Sequence, residues 1–242
     1  MHFLRLFCAY TTIALISVFR LFLSDPLMHL ILLGPPGTGK GTISEFIEAK
    51  FEAEHVSTGD LLRDEVAKKT EIGKSVEPIL NKGALVDDSV VVQVLRKKLS
   101  QAKAKNFILD GFPRNLNQAK ILDWLLHELD VSLDAVLNID SSEDVIVKRL
   151  SARRQCVKCK RIYGLDVPSK KKGVCDDCGA KTMQRKDDKP SIIKKRLRLY
   201  NELTLPLIFF YGGKGLLIHV DGNRPLQEIF EEVETVLKKF DG

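Results

Sequence analysis

A chain of 242 residues, 44% of them hydrophobic, is globular and long enough to bury a full core in one or two domains. Its formal charge of +6 and sequence pI near 9.0 suit acidic partners, which are nucleotides, nucleic acid or a membrane surface, and charge alone does not choose among them.

Residues 1–27 differ in composition from the rest. No charge occurs from Leu6 to Phe19, with Arg5 before the run and Arg20 after it. Those fourteen residues are too few to span a bilayer, which takes about twenty, but they match the apolar region of a secretory signal peptide. An interfacial anchor extended by Leu21, Phe22 and Leu23 is a second reading. Export is weakened because no small-x-small cleavage site precedes Met28, and the third reading, which is favoured, is a gene-model artefact in which translation begins at Met28, one residue before the first core strand.

His29-Leu-Ile-Leu-Leu-Gly34-Pro-Pro-Gly37-Thr-Gly39-Lys40-Gly41-Thr42 reads as a buried strand running into a glycine-rich turn, and Ile43, Phe46, Ile47 and Phe51 follow at helical spacing. Glycines let the backbone curl with its N–H groups inward, the helix start adds partial positive charge, and Lys40 reaches the outer phosphates. The stretch therefore predicts a polyphosphate-binding loop. It departs from the general pattern, which wants a hydroxyl directly after the lysine: here Gly41 intervenes before Thr42.

Glu54-His-Val56 is a weak strand, and Ser57-Thr-Gly-Asp60 supplies oxygens to cap a helix carrying Leu61, Leu62 and Val66. A second short helix with Val76, Ile79 and Leu80 stops at Gly83, and Asp88 opens a third with Val90, Val91, Val94, Leu95 and Leu99. Residues 57–86 thus form a small helical insertion. Asn106-Phe-Ile-Leu-Asp110 reads as a buried strand ending in a carboxylate, followed by a loop presenting Arg114. An aspartate there, beside a phosphate loop, suits a nucleotide-bound Mg²⁺.

A helix from Gln118 to Leu129 buries Ile121, Leu122, Leu125 and Leu129, and the single tryptophan, Trp124, reads as packing rather than ligand stacking. Ala135 to Ile139 is the next strand, and Ser141-Ser-Glu-Asp144 resembles a capping box for the helix through Arg149 and Arg153.

The pattern then breaks. Cys156-Val-Lys-Cys159 and Cys175-Asp-Asp-Cys178, fifteen residues apart, place four thiolates around Zn²⁺ as in a zinc ribbon. Disulfides fit poorly, since Cys8 is remote and cytosolic thiols stay reduced. So few apolar residues lie in the intervening loop that the metal must hold it, and four thiolates leave no open coordination position, so the site is structural. Pro190 suits a first helical turn, from which Ile192, Ile193, Arg196, Leu197 and Tyr200 lead a long helix onward. Leu216 to Val220 is the last strand, and Leu226, Ile229, Phe230, Val233, Val236 and Leu237 make the closing helix amphipathic. Lys170-Lys-Lys172 reads as a solvated loop tip. Strands alternating with helices imply an α/β fold, a parallel sheet flanked by helices, with ligands at the carboxyl ends of the strands.

No histidine, serine or free cysteine forms a plausible nucleophile arrangement, yet arginines recur at 63, 114, 149, 153, 185 and 196. Phosphoryl transfer needs such a site, because its transition state is stabilised largely by positioning and cations. An acceptor that is itself a phosphate is already anionic near neutral pH, so the lack of a base favours a nucleotide acceptor over an alcohol.

Gly34-Pro-Pro-Gly-Thr-Gly-Lys-Gly-Thr42, Ser57-Thr-Gly-Asp60, Asp110-Gly-Phe-Pro-Arg114 with Gln118, and Arg185-Lys-Asp-Asp188 together resemble the adenylate kinases, in the long form whose lid carries a metal. The likeness runs from Met28 to the C-terminus, and Gly41 is the family's own variant of the loop. It implies the P-loop nucleoside monophosphate kinase fold, with a core of residues 28–56, 87–151 and 189–242, an AMP-binding insertion at 57–86 and a zinc-binding lid at 152–188. It implies reversible, Mg²⁺-dependent transfer of the terminal phosphoryl group of ATP to AMP, giving two ADP. Gly37, Thr38, Gly39, Lys40, Gly41 and Thr42 would wrap the ATP phosphates, with Arg149 against the base, the backbone of Arg224 at its edge, and Ile162 and Tyr163 as the ATP-facing lid segment. Thr58, Arg63, Ala84, Leu85, Val86, Gly111, Phe112, Pro113, Arg114 and Gln118 would hold AMP, with Gln118 reading adenine. Arg153, Arg185 and Arg196 would close around the phosphates, the latter two also touching AMP, and Asp110 would orient Mg²⁺ through water. Lys40, Arg114, Arg153, Arg185, Arg196 and Asp110 are the expected catalytic set, and Cys156, Cys159, Cys175 and Cys178 the Zn²⁺ ligands.

The resemblance implies a cytoplasmic monomer, touching a membrane only through residues 1–27. Within the enzyme class the rival is a kinase acting on UMP, CMP or GMP, or one using GTP as donor. From another class, an ATP-driven nucleic-acid-binding protein would interleave aromatics with its cations, and the ribbon offers only Tyr163.

Overall fold

In the computed structural model, which describes residues 27–102 and 105–240, five parallel strands form the central sheet. They are β1 (His29–Leu33), β2 (Glu54–Ser57), β3 (Phe107–Asp110), β4 (Ala135–Asp140) and β8 (Leu217–Asp221), in the order β2-β3-β1-β4-β8. All five residues of β1 are buried, as expected of a strand covered on both faces. Alternation divides them: Ile31 and Leu33 join Val56, Leu109 and Val136 in one core, while Leu30 and Leu32 join Ile43, Ile108 and Leu137 in the other. The signal-peptide, anchor and artefact readings fall on residues 1–26, outside the described residues, and on Leu27.

Helix α1 (Lys40–Phe51) carries the chain from β1 to β2, whereas α5 (Leu116–Glu128) carries it from β3 to β4 on the other side. The loops after β1 and β3 therefore splay apart, and a crevice opens at the carboxyl ends of these neighbouring strands. Over it come two insertions. One is the pair α2 (Thr58–Ala67) and α3 (Glu71–Asn81), ahead of α4 (Asp88–Ala102). The other follows α6 (Glu143–Ala152) and is a small antiparallel sheet, β6-β5-β7, of β5 (Arg154–Cys156), β6 (Ile162–Tyr163) and β7 (Thr182–Met183). Its apolar interior is little more than Cys156, Tyr163 and Cys175. Lys170, Lys171 and Lys172 are exposed at its tip. The chain closes with α7 (Pro190–Leu199), α8 (Pro206–Gly213) and α9 (Leu226–Leu237), the last burying Ile229, Val233 and Leu237.

Three local expectations are corrected. The long helix beyond Pro190 ends at Leu199, passes through a π turn at Tyr200–Thr204 and restarts at Pro206. Proline has no N–H to give the preceding turn and its ring crowds the carbonyl four residues back; the wider turn relieves this, with the Leu205 N–H bonding the Tyr200 carbonyl at 2.9 Å. The capping box at Ser141 does not form. Ser142 occupies the cap position without a side-chain bond, and the Ser142 N–H goes instead to Asn223 Oδ1 at 3.0 Å. Trp124 does not pack in the core: it is 55% exposed, with the Arg96 guanidinium 5.2 Å from its ring centroid.

Candidate active site

The loop from Gly34 to Gly39 takes its shape from backbone that other residues could not follow. Gly34 has φ 137°, and a Cβ there would lie 2.1 Å from the Ile139 carbonyl; Gly37 has φ 92°, and a Cβ would lie 2.7 Å from Leu150 Cγ. Gly39 precedes α1 with no side chain capping the helix, so its first N–H groups are free to meet an anion. Lys40 Nζ folds back on the loop, donating to the Gly34 and Pro35 carbonyls at 2.8 Å each.

Beside the loop, β3 ends in Asp110. Burial would raise its carboxyl, but His55 and Lys40, followed by Arg114, outweigh burial and hold it down at about 2. His55, within β2 next door, has Nε2 3.6 Å from Asp110 Oδ2. Burial pulls the imidazole down, and the Asp110 carboxylate more than offsets it, so its pKa is raised. No pattern in the chain singles out this histidine; only strand pairing brings Val56 opposite Leu109 and sets His55 against the strand-end carboxylate.

A cavity of about 720 Å³ runs from the loop under both insertions, a size that suits small-molecule ligands. Gly37, Gly39, Lys40, Gly41 and Thr42 line one end, with Arg149, Arg153, Ile162 and Tyr163. Thr58, Arg63, Ala84, Leu85, Val86, Gly111, Pro113, Arg114 and Gln118 line the other, and Arg185, Arg196 and Asp110 complete the wall. Thr38, Phe112 and Arg224 are not brought to it. The Thr38 hydroxyl donates to the Pro35 carbonyl at 3.1 Å, Phe112 is 1% exposed within the core, and the Arg224 guanidinium pairs with Glu232. Tyr163 lines the cavity by its ring, but its hydroxyl contacts Cys175 Sγ at 3.3 Å and accepts the Asp176 N–H at 2.7 Å.

The arginines are held, not loose. Asp188, fully buried at the end of the second insertion, accepts Arg153 Nε at 2.8 Å and Nη2 at 2.5 Å, and Arg196 Nη1 at 3.1 Å. Asp187 takes Arg196 at 3.0 Å. Arg185 Nε donates to Gln155 Oε1 at 2.9 Å and its Nη2 lies 4.0 Å from Asp60, which also pairs with Arg63. Burial first, then the neighbouring cations, lowers Lys40 to about 8, Arg185 to about 9 and Arg196 to about 10. Such a crowd of partly dehydrated cations is a cage for a polyanion.

On the far side of Tyr163, the sulfurs of Cys156, Cys159, Cys175 and Cys178 all lie within 4.8 Å of one another. Zinc–sulfur bonds of about 2.3 Å put tetrahedral ligands about 3.8 Å apart, so the donor set and its spacing fit Zn²⁺. The four sulfurs would carry the metal, with the Lys158 N–H directed at Cys156 Sγ at 3.4 Å.

A phosphate loop at a switch point, a strand-end carboxylate beside it and a cationic cage under two insertions define a P-loop nucleotide phosphotransferase with the nucleoside monophosphate kinase fold. The adenylate kinase family model matches residues 32–216. Named relatives agree: the adenylate kinase of Archaeoglobus fulgidus is 44% identical over 88% of this chain and 99% of its own length. That of Pseudothermotoga lettingae is 43% identical over 88% and 99%, and that of Kosmotoga olearia 45% over 85% and 97%. The chain belongs to the adenylate kinase family.

Proposed function

We propose that the chain catalyses reversible transfer of the terminal phosphoryl group of ATP to AMP, giving two ADP, and so balances the adenine nucleotide pool. The observation that carries this reading is the convergence of Lys40, Arg114, Arg153, Arg185 and Arg196 on one cavity shared by the phosphate loop and the first insertion. In it, residues 152–188 act as the lid, 57–86 as the AMP-binding flap, and the remainder from 28 onward as the core.

The loop amides grip the ATP phosphates, and Lys40 exchanges its two loop carbonyls for the transferred group. Arg149 flanks the donor base, and Arg63, Arg114 and Gln118 hold AMP. An oxygen of the AMP phosphate, already ionised, forms the new bond to the γ-phosphorus. The bond from that phosphorus to the β,γ-bridging oxygen breaks, and its electron pair leaves with ADP. No proton has to be removed, so no general base is required, and the guanidiniums offset the charge spread over the group in transit. Asp110, kept ionised, would hold Mg²⁺ through water, and the ion would supply further charge neutralisation to the nucleotide. The four-cysteine lid would take a structural Zn²⁺. Among the described residues no helix is long and apolar enough to cross a membrane. The reading is of a monomer working in the cytoplasm, where thiols stay reduced.

A panel of AMP, GMP, CMP and UMP, each with ATP or GTP, tests this. The expected outcome is ADP formation from ATP and AMP with kcat/KM at least about 100-fold above the other acceptors. ATP hydrolysis stimulated by DNA or RNA and indifferent to AMP would overturn it.

A further inference from the structure

Gln118, 2% exposed, is held at both ends of its amide. Its Oε1 accepts the Arg114 N–H at 2.7 Å, and its Nε2 donates to Asp88 Oδ1 at 2.6 Å. Asp88 is in turn braced: Asn115 Nδ2 reaches the same oxygen at 3.3 Å and Asn117 Nδ2 the other at 2.7 Å. As the first residue of α4 it is not needed as a cap, because Asp87 Oδ1 accepts the Ser89 N–H at 2.9 Å. Of two successive aspartates, one starts the helix and the other is free to face Gln118.

We propose that Asp88 is a positioning residue that sets which purine the monophosphate site accepts, by fixing the orientation of the Gln118 amide. The proposal rests on the reading in which Gln118 meets the acceptor base. A carboxamide turned by half a turn about its last bond keeps its shape but exchanges its oxygen and nitrogen. Turned this way, Gln118 would set Oε1 against the Asp88 carboxylate, two acceptors with no proton between them, and Nε2 against the Arg114 N–H, two donors. Asp88 is the stronger constraint, since a hydrogen bond to a charged group contributes more than a neutral one.

With one lone pair and one N–H committed, the amide has one acceptor and one donor left, in a set order. A 6-aminopurine offers an exocyclic donor beside a ring acceptor. A 6-oxopurine offers an acceptor and a donor in the reverse order. The first is matched; the second leaves a donor facing a donor and an acceptor facing an acceptor, which a dehydrated site rejects strongly.

The comparison that isolates this is AMP against inosine monophosphate, which differs from AMP only at the 6-position and N1. Asp88→Asn keeps the shape and lets the amide turn. The ratio of kcat/KM for AMP over inosine monophosphate is expected to fall at least about tenfold, with more of the change in KM for AMP than in kcat. Equal losses on both substrates, leaving the ratio where it was, would make Asp88 a structural residue and overturn the proposal. Asp88→Ser, an uncharged acceptor, carries the same test should the asparagine variant fail to fold. Gln118→Ala is run in parallel. A ratio insensitive to Gln118→Ala would sink the reading of Gln118 itself, whereas a ratio that collapses there and survives Asp88→Asn would sink only the part assigned to Asp88.

Discussion

Lys40 shows how a single side chain is tuned by what surrounds it. Its ammonium satisfies itself on two carbonyls of its own loop, and burial among arginines brings its pKa down to about 8. The protonated form is the one that can meet a phosphate. Because the pKa is lowered, that form is complete well below about 8, half present there and lost above it. In the ligand-free enzyme kcat/KM for ATP should therefore hold level near neutral pH and fall through about 8, and Lys40→Arg should move that limb to higher pH. Lys40→Met should lower kcat by about 10²- to 10³-fold. Rate profiles at ATP well below its KM check this, and a level profile through pH ~9.5 would refute the assignment. The groups proposed to act on phosphate are legible from spacing and from family resemblance, Lys40, Arg114 and Arg185 because they sit in contiguous motifs and Arg153 and Arg196 only through the resemblance. Those that hold them are not: Asp88 meets Gln118 thirty residues on, and Asp188 meets Arg153 thirty-five residues back. His55 reaches Asp110 only because β2 pairs with β3.

At the level of elements, the ribbon between α6 and α7 has almost no apolar interior of its own, so its order depends on the four sulfurs. Cys156→Ser should take bound metal from about one equivalent towards zero and lower the melting temperature, while the phosphate loop, which joins β1 to α1 and whose two flanking elements are rooted in a core outside the ribbon, stays folded. Metal analysis and a thermal melt decide it; unchanged stoichiometry would refute four-thiolate ligation. Paired C-x-x-C spacing made this element readable before any fold was known. Helix boundaries were less so. Trp124 sits among core-facing leucines in the sequence, yet the face of α5 that packs is set by Leu122, Leu125 and Leu126, and the ring is left outside beside Arg96. Ser141 likewise fits a cap by type, but the competing acceptor on Asn223 comes from the far end of the chain.

Across the whole molecule, the ribbon lies over the cavity and is clasped there. Arg149 Nε on α6 meets Asp166 Oδ2 at 2.8 Å, and Lys186 lies 3.8 Å from Glu77 on α3. These pairs join parts of the chain that the central sheet does not tie together. Half-exposed pairs contribute only about 0–1 kcal/mol to folding, but that much shifts an open–closed balance severalfold. Asp166→Ala should raise KM for ATP about three- to tenfold with little change in melting temperature, and added salt should weaken the unaltered protein in the same direction. Steady-state kinetics at two ionic strengths would show it, and an unmoved KM would mean the pair is not a clasp.

The two residues of β6 face opposite masters. Ile162 stands 3.5 Å from where a side chain on Gly41 would begin, while the Tyr163 hydroxyl rests on Cys175. A dipeptide thus joins thiol chemistry to the grip on the nucleotide. Oxidants that consume these thiolates, or chelators that take the metal they would hold, are expected to loosen the roof above Lys40 without ever entering the chamber beneath it.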